Sequence, residues 1–289
     1  MKAERLLKSS MNLLSSAIVD LIKRCSKMTI LDEIANYTRE RYVQQEKIIP
    51  LEEIRAKALA MNPETGFPFE KALAKNNISY ICEVKKASPS KGLIAEDFPY
   101  LQIAKDYEEA GASAISCLTE PKYFMGKNEY LQQISQEVNI PILRKDFTVC
   151  PYQIYEAKVI GASAILLICA LLSTEELKEY LKIAHSLGLS ALVEAHTADE
   201  VQSAIDSGAR IIGVNNRNLK DFTVDLSTCT NLRKLVPENI LFVGESGIKT
   251  NSDIEKLKEA KVDAVLIGET LMRSQDKNRA LEELNGGKL

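Results

Sequence analysis

Eight short apolar runs alternate with helix-length amphipathic segments along most of this chain, and no other feature narrows its fold as much. The runs are ISYICEV, ASAISCL, IPILRKDF, ASAILLI, LSALVEA, RIIGVN, ILFVGES and DAVLIG. Between them lie segments such as LQIAKDYEEA, CPYQIYEAKVI, STEELKEYLKIAHSLG, TADEVQSAIDSG and NSDIEKLKEAK. Alternating strands and helices build a parallel sheet. Eight such units over roughly 200 residues predict an α/β protein of the closed (β/α)8 class, a TIM barrel. An open doubly wound sheet usually carries a glycine-rich dinucleotide turn after its first strand, and this sequence has none. A turn signature also recurs before the strands: EAGASAISCL at 109–118, VIGASAILLI at 159–168, DSGARIIGV at 206–214 and EAKVDAVLI at 259–267.

Two helices precede the first run. One starts after Met28 and spans roughly 30–46, and the other lies in LEEIRAKALAMN, before PETGFPF breaks the pattern. Residues 1–28 carry six basic and two acidic side chains, with Leu7, Met11, Leu14, Ile18 and Leu21 at helical spacing. Asp20 interrupts that stripe and no small-residue cleavage site follows, which argues against a secretory signal. The reading is therefore an N-terminal extension over 1–27, an amphipathic helix, then a single catalytic barrel over 28–289. Met28 is an alternative candidate start.

Composition excludes several classes of function. A net charge of −3 and a pI near 5.7 argue against a nucleic-acid surface, so an anionic ligand must be held by local charges. The six cysteines show no CxxC pair and no zinc spacing. Cys82, Cys117 and Cys169 lie in apolar runs, which predicts buried free thiols and a reducing, cytoplasmic setting. His185 and His196 are the only histidines, too few for a multi-histidine metal site. No apolar run approaches the ~18 residues of a membrane span.

The charged residues that matter fall at strand ends. Glu83 and Lys85 share a strand face with Ile81, while Cys82 and Val84 face the other way. The same parity joins Leu143 to Lys145 and Phe147, Leu192 to Glu194, and Gly213 to Asn215 and Arg217. The seventh run ends in Glu245-Ser246-Gly247 and the eighth in Gly268-Glu269. Active sites of (β/α)8 barrels lie at the C-terminal strand ends, so charges repeated at the last inward position point to one catalytic rim. Gly247 and Gly268 let backbone N–H groups approach an anion, as loops after the last two strands often do for phosphate. Ser88 adds a hydroxyl in SPSKG, a lid candidate ending at Gly92, and Phe124 and Phe147 offer walls for a flat apolar ligand. Acid–base chemistry on a phosphorylated substrate follows, with lysines as acids or carboxylate anchors and Glu194 as proton acceptor. A Schiff-base lysine competes, although neighbouring acids favour its charged form.

The segments EVKKASPSKG, LTEPKYFMG, ILRKDF, LLICALL, ALVEAH, VNNRNL, GESGI and LIGETLM, taken in order, resemble the indole-3-glycerol phosphate synthases. The resemblance runs from about Met28 to about Ser274, leaves residues 1–27 outside, and departs at Cys82, where a small apolar residue is usual. It implies conversion of 1-(2-carboxyphenylamino)-1-deoxyribulose 5-phosphate to indole-3-glycerol phosphate, CO2 and water in tryptophan biosynthesis. It assigns Lys145 as the acid on the ribulose carbonyl, Glu194 as acid/base in the dehydration, and Glu83 and Asn215 as orienting groups. Lys85 would hold the substrate carboxylate, with a role as dehydration acid left open. Ser88, Arg217, Glu245 and Ser246 match binding positions, Phe124 and Phe147 the anthranilate walls, and Gly247, Gly268 and Glu269 the phosphate site. The helices near 30–60 would cover the barrel. The family uses no cofactor and no metal, and its partner is the small phosphorylated substrate rather than nucleic acid or membrane. A monomer is the default, and weak association with other pathway enzymes stays open. A sister isomerase would need a Cys/Asp or Asp/Asp pair, and the parity of Cys82 points away from the barrel interior. A non-catalytic barrel would lack the rim charges.

Overall fold

Short-range chemistry delivers each strand to the barrel. In three of the four signature copies a glycine takes the left-handed conformation just past a helix: Gly111 at φ 81°, Gly161 at 89° and Gly208 at 85°. Glycine reaches that region without a Cβ clash and so ends the helix cleanly. The fourth copy has no glycine, and Lys261 adopts the same conformation at φ 60°. Helix starts are equally local. Thr29, Ser173 and Thr250 form capping boxes with Asp32, Glu176 and Asp253, and Pro68 and Pro151 occupy first-turn positions.

The computed structural model describes residues 29–218 and 221–287, so the expected amphipathic extension over 1–27 lies outside the described residues. Eight strands, β1 Ser79–Val84, β2 Ala114–Leu118, β3 Ile142–Lys145, β4 Ala164–Ile168, β5 Ser190–Ala195, β6 Ile211–Asn215, β7 Leu241–Glu245 and β8 Ala264–Ile267, pair in parallel. Their closed order is β1-β8-β7-β6-β5-β4-β3-β2, a (β/α)8 barrel as the alternation predicts. The helices are α1 Ile30–Ile48, α2 Leu51–Leu59, α3 Pro68–Leu73, α4 Tyr100–Glu109, α5 Asn128–Glu137 and α6 Pro151–Val159. They continue with α7 Thr174–Ser186, α8 Ala198–Asp206, α9 Ser227–Arg233, α10 Asn251–Glu259, α11 Glu269–Arg273 and α12 Lys277–Leu284. A two-residue hairpin, Ala87–Ser88 with Gly92–Leu93, shapes the loop after β1.

Strand parity sorts the core into two layers. Ile81, Ala114, Leu143, Ala164, Leu166, Leu192, Ile211, Val243, Ala264 and Leu266 fill the barrel interior. Alternate residues, including Cys82, Ile115, Cys117, Val193, Val214 and Val265, pack outward against the helices. Cys82 and Cys117 are buried free thiols there, whereas Cys169 lies one residue past β4 and is only half-buried. The N-terminal part of the chain packs against both ends of the interior. Leu31 of α1 packs into it, as do Phe69 and Leu73 of α3. That third helix forms where PETGFPF signals only a break, because Pro68 starts a turn whose two apolar residues find the open barrel.

Candidate active site

At the C-terminal strand ends the mouth opens into a cavity of about 1000 Å3, sized for a small organic ligand. Every site residue expected from the sequence lines it: Glu83, Lys85, Ser88, Phe124, Lys145, Phe147, Glu194, Asn215, Arg217, Glu245, Ser246, Gly247, Gly268 and Glu269. Ile30, Leu31 and Ile34 of α1 line it as well.

Its centre is one ammonium between two carboxylates. Lys145 Nζ lies 3.2 Å from Glu194 Oε2 and 2.7 Å from Glu245 Oε2, all three side chains being largely buried. Burial alone would lower the lysine pKa, but Glu245, Glu194 and Glu83 outweigh it and hold the ammonium charged above the usual lysine range. The two carboxylates diverge. Burial pushes both upward, yet Lys145 and His196 keep Glu194 below its ordinary value, and Asn215 Nδ2 donates to its Oε1 at 3.5 Å. Glu245 has an Oε1 with no hydrogen-bond partner, and burial with the nearby Glu194 charge pushes it up to about 7. One cation cannot compensate two buried anions, so the less supported carboxylate holds its proton more tightly.

A second ion pair, Lys85 with Glu83, sits beside Gly268 on the opposite wall. A Cβ on Gly268 would collide with Glu83 Oε1 and reach Lys85 Nζ at 2.8 Å. This glycine therefore makes room for the charged pair. Glu269, which starts the short α11, turns its carboxylate to Lys91 at 3.4 Å and Arg273 at 3.2 Å. Ser246 and Gly247 are both left-handed, at φ 65° and 82°. The turn is stapled by Asn216, whose amide donates to the carbonyls of Glu245 and Ser246 at 3.0 and 3.1 Å. Phe124 and Phe147 stand with ring centroids 5.9 Å apart. Arg217 lies nearby, its guanidinium donating to the Phe222 carbonyl at 3.3 Å.

Several supporting residues escaped the sequence reading. The fully buried Glu120 accepts the backbone N–H groups of Lys122, Tyr123 and Phe124 at 2.7–3.0 Å, which fixes the turn holding Phe124. Asp146 accepts from Arg41 of α1 at 3.0 Å and from Thr119 at 2.9 Å, tying the first helix to the residue next to Lys145. Arg144 faces outward and donates to Glu156 at 2.6 Å and Tyr42 at 2.9 Å. A hint existed in the strand: an arginine and an aspartate flanking an inward lysine, on the outward parity of a buried run, must find partners among the helices.

Most of the chain is similar to proteins of one known family. The family model described as indole-3-glycerol phosphate synthase matches residues 31–284. An indole-3-glycerol phosphate synthase of Ruminiclostridium cellulolyticum is 56% identical over 257 residues, covering 89% of this chain and 99% of the relative. One from Endomicrobium trichonymphae is 52% identical over 255 residues, covering 88% and 99%. Among solved structures, a 3-hexulose-6-phosphate synthase superposes with a TM-score of 0.60 at 13% identity, covering 73% of this chain and 100% of that one. A variant tryptophan synthase alpha-subunit from Pyrococcus furiosus gives 0.55 at 14%, covering 72% and 98%. At such identities these two likenesses speak for the barrel alone.

Proposed function

The chain belongs to the indole-3-glycerol phosphate synthase family, and from that premise we propose that its barrel mouth closes the indole ring by lysine–glutamate acid–base catalysis. The reaction turns 1-(2-carboxyphenylamino)-1-deoxyribulose 5-phosphate into indole-3-glycerol phosphate, CO2 and water. One observation carries the proposal: the Lys145 ammonium, kept charged by Glu194 and Glu245, stands at the last interior layer of the mouth cavity. Lys145 protonates the ribulose carbonyl oxygen as the carboxylate-bearing ring carbon attacks the carbonyl carbon. CO2 leaves, and its bonding pair restores the aromatic ring. Glu194, held ionised, takes the proton lost from carbon when the hydroxyl departs as water. Glu83 and Asn215 orient Lys85 and Glu194. Lys85 receives the substrate carboxylate beside its partner Glu83.

Phe124, Phe147, Leu31 and Ile34 wall the anthranilate slot. The phosphate goes to the backbone at Gly247, Gly268 and Glu269, with Ser88, Ser246 and Arg217 around it. The substrate is a small molecule, and a reducing, cytoplasmic setting belongs to the same reading, supported by five free cysteines among the described residues. The isomerase alternative loses ground because Cys82 packs in the outer layer among helices.

Indole fluorescence after mixing enzyme with this substrate tests the proposal. Wild type should give product, while Lys145→Ala and Glu194→Gln should each lose about 10²–10⁴-fold in kcat, the range of a positioned proton-transfer group. A folded wild type without signal would sink it.

A further inference from the structure

Ring closure as proposed for this barrel does not balance in protons, and a proton path inferred from that imbalance rests on the synthase reading. The carbonyl oxygen takes one proton on ring closure, and the resulting hydroxyl takes a second as it leaves as water. Carbon returns one proton when the indole double bond forms, while the carboxylate departs as CO2 and leaves its electron pair behind. Each turnover therefore draws one proton from solvent. Lys145 and Glu194 are poorly placed to collect it through the mouth. Their side chains are only 14% and 5% exposed, and substrate in the cavity lies over them.

A path exists behind them. His196 follows β5 directly and does not line the mouth cavity. Its Nε2 lies 3.4 Å from Glu194 Oε1, and its Nδ1 lies 3.4 Å from Glu200 Oε2 in the first turn of α8. Glu200 also accepts the His196 backbone N–H at 2.6 Å, which fixes the base of the ring against that helix. The Glu200 side chain is 23% exposed. The series Lys145, Glu194, His196, Glu200 thus steps 3.2, 3.4 and 3.4 Å from the buried ammonium to water on the outer rim. His196 Nε2 is buried and makes no hydrogen bond, and Glu194 Oε1 lies 3.4 Å from it.

We propose that Glu200 and His196 form a proton-uptake path that reloads the Glu194–Lys145 pair from solvent while substrate fills the mouth. A solvent proton arrives at Glu200 and passes to His196 Nδ1, and the Nε2 proton goes to Glu194 Oε1. A flip of the ring about its Cβ–Cγ bond then exchanges the two nitrogens and restores the first arrangement. One proton enters and no bond to carbon changes. A small ring rotation brings the 3.4 Å contacts to hydrogen-bond length, as loose unliganded contacts commonly tighten. The charged and titratable groups around the ring suit the task. Burial alone would keep His196 neutral, but Glu200, Glu194 and the more distant Glu245 raise its pKa above the ordinary histidine value. The Cys169 thiol beside these carboxylates is pushed up to about 12, by burial first and then by Glu200 and Glu194, and stays protonated.

His196 and Glu200 touch no reacting atom and act through Glu194, so the test must separate proton delivery from simple support. Single-turnover indole formation is followed in the full-length enzyme for wild type, His196→Asn and Glu200→Gln across neutral and alkaline pH. The histidine variant should fall at least ~10-fold in rate with substrate affinity within about twofold, the loss deepening as pH rises. Imidazole added to the buffer should restore the rate in proportion to its concentration, which a lost packing contact would not allow. Glu200→Gln should move the same way by less. Rates within about twofold of wild type in both folded variants, with no buffer dependence, overturn the path. If His196→Asn does not fold, Glu200→Gln and its buffer response decide alone. A wild type that makes no indole overturns the synthase reading itself, an outcome distinct from any variant effect.

Discussion

Gly268 and Gly213 work by what they leave out. A Cβ on Gly213 would collide with Glu245 Oε1 and press Leu192, just as one on Gly268 would collide with Glu83. Neither residue has a positive φ, so the requirement is space for a carboxylate rather than backbone freedom. Each glycine, Gly213 inside β6 and Gly268 just past β8, sits beside the acid that a neighbouring strand presents. Gly268→Ala should leave the fold intact, since the atoms it displaces are the far ends of flexible side chains. It should lower kcat/KM about 10²-fold by shifting Glu83 and Lys85 by something like an ångström. Steady-state kinetics beside a thermal melt checks both halves. Among the strand-end residues, side-chain parity was readable from spacing alone. The division of the two acids around Lys145 was not, because it depends on Asn215 and His196 reaching one carboxylate and nothing reaching Glu245 Oε1.

At the scale of elements, the helix-to-strand turn is the unit this chain repeats, and its one irregular copy is informative. Lys261 holds a left-handed conformation that Gly111, Gly161 and Gly208 hold without strain. Its ammonium pairs with Glu238 at 2.7 Å, but both side chains are well exposed, so the pair offsets little of that strain. Lys261→Gly should therefore stabilise the protein by about 0.5–1 kcal/mol, the left-handed penalty less the entropy glycine loses on folding. Chemical denaturation with an unchanged m-value would show it. The first helix is a different case. Its existence after Met28 was legible from capping and periodicity. Its seat over the barrel was implied by the family resemblance alone, since that seat depends on contacts distant in sequence. Arg41 reaches Asp146, Tyr123 Oη donates to Glu33 at 2.7 Å, and Tyr37 meets the Tyr123 ring edge-on at 6.1 Å.

Over the whole molecule, the candidate site and the barrel floor occupy opposite ends of one barrel. At the N-terminal end, Arg210 lies 4.1 Å over the Phe67 ring and pairs with Glu70 at 2.8 Å, and His185 meets the same ring edge-on. Burial, with Arg210 adding to it, pushes His185 down to about 4, so this end stays uncharged at its histidine through the neutral range. Arg210→Ala should cost about 1–2 kcal/mol from the ring contact and the half-exposed pair, lowering Tm by a few degrees. The rate of indole formation should stay within about twofold, because the proposed catalytic rim lies at the other end of the packed barrel interior. A calorimetric scan and one saturation curve suffice. The alternation of eight strands with helices, the inward face of each strand and the position of every rim charge were determined by the sequence itself. These follow from hydrophobic period and turn chemistry, which act within a few residues. Only the tertiary structure decided that α3 closes the barrel floor, that α1 completes the cavity, and that Lys145 shares its charge unequally between Glu194 and Glu245. Those outcomes depend on which strands become neighbours and at what register, because burial and Coulomb forces act through space and ignore separation along the chain.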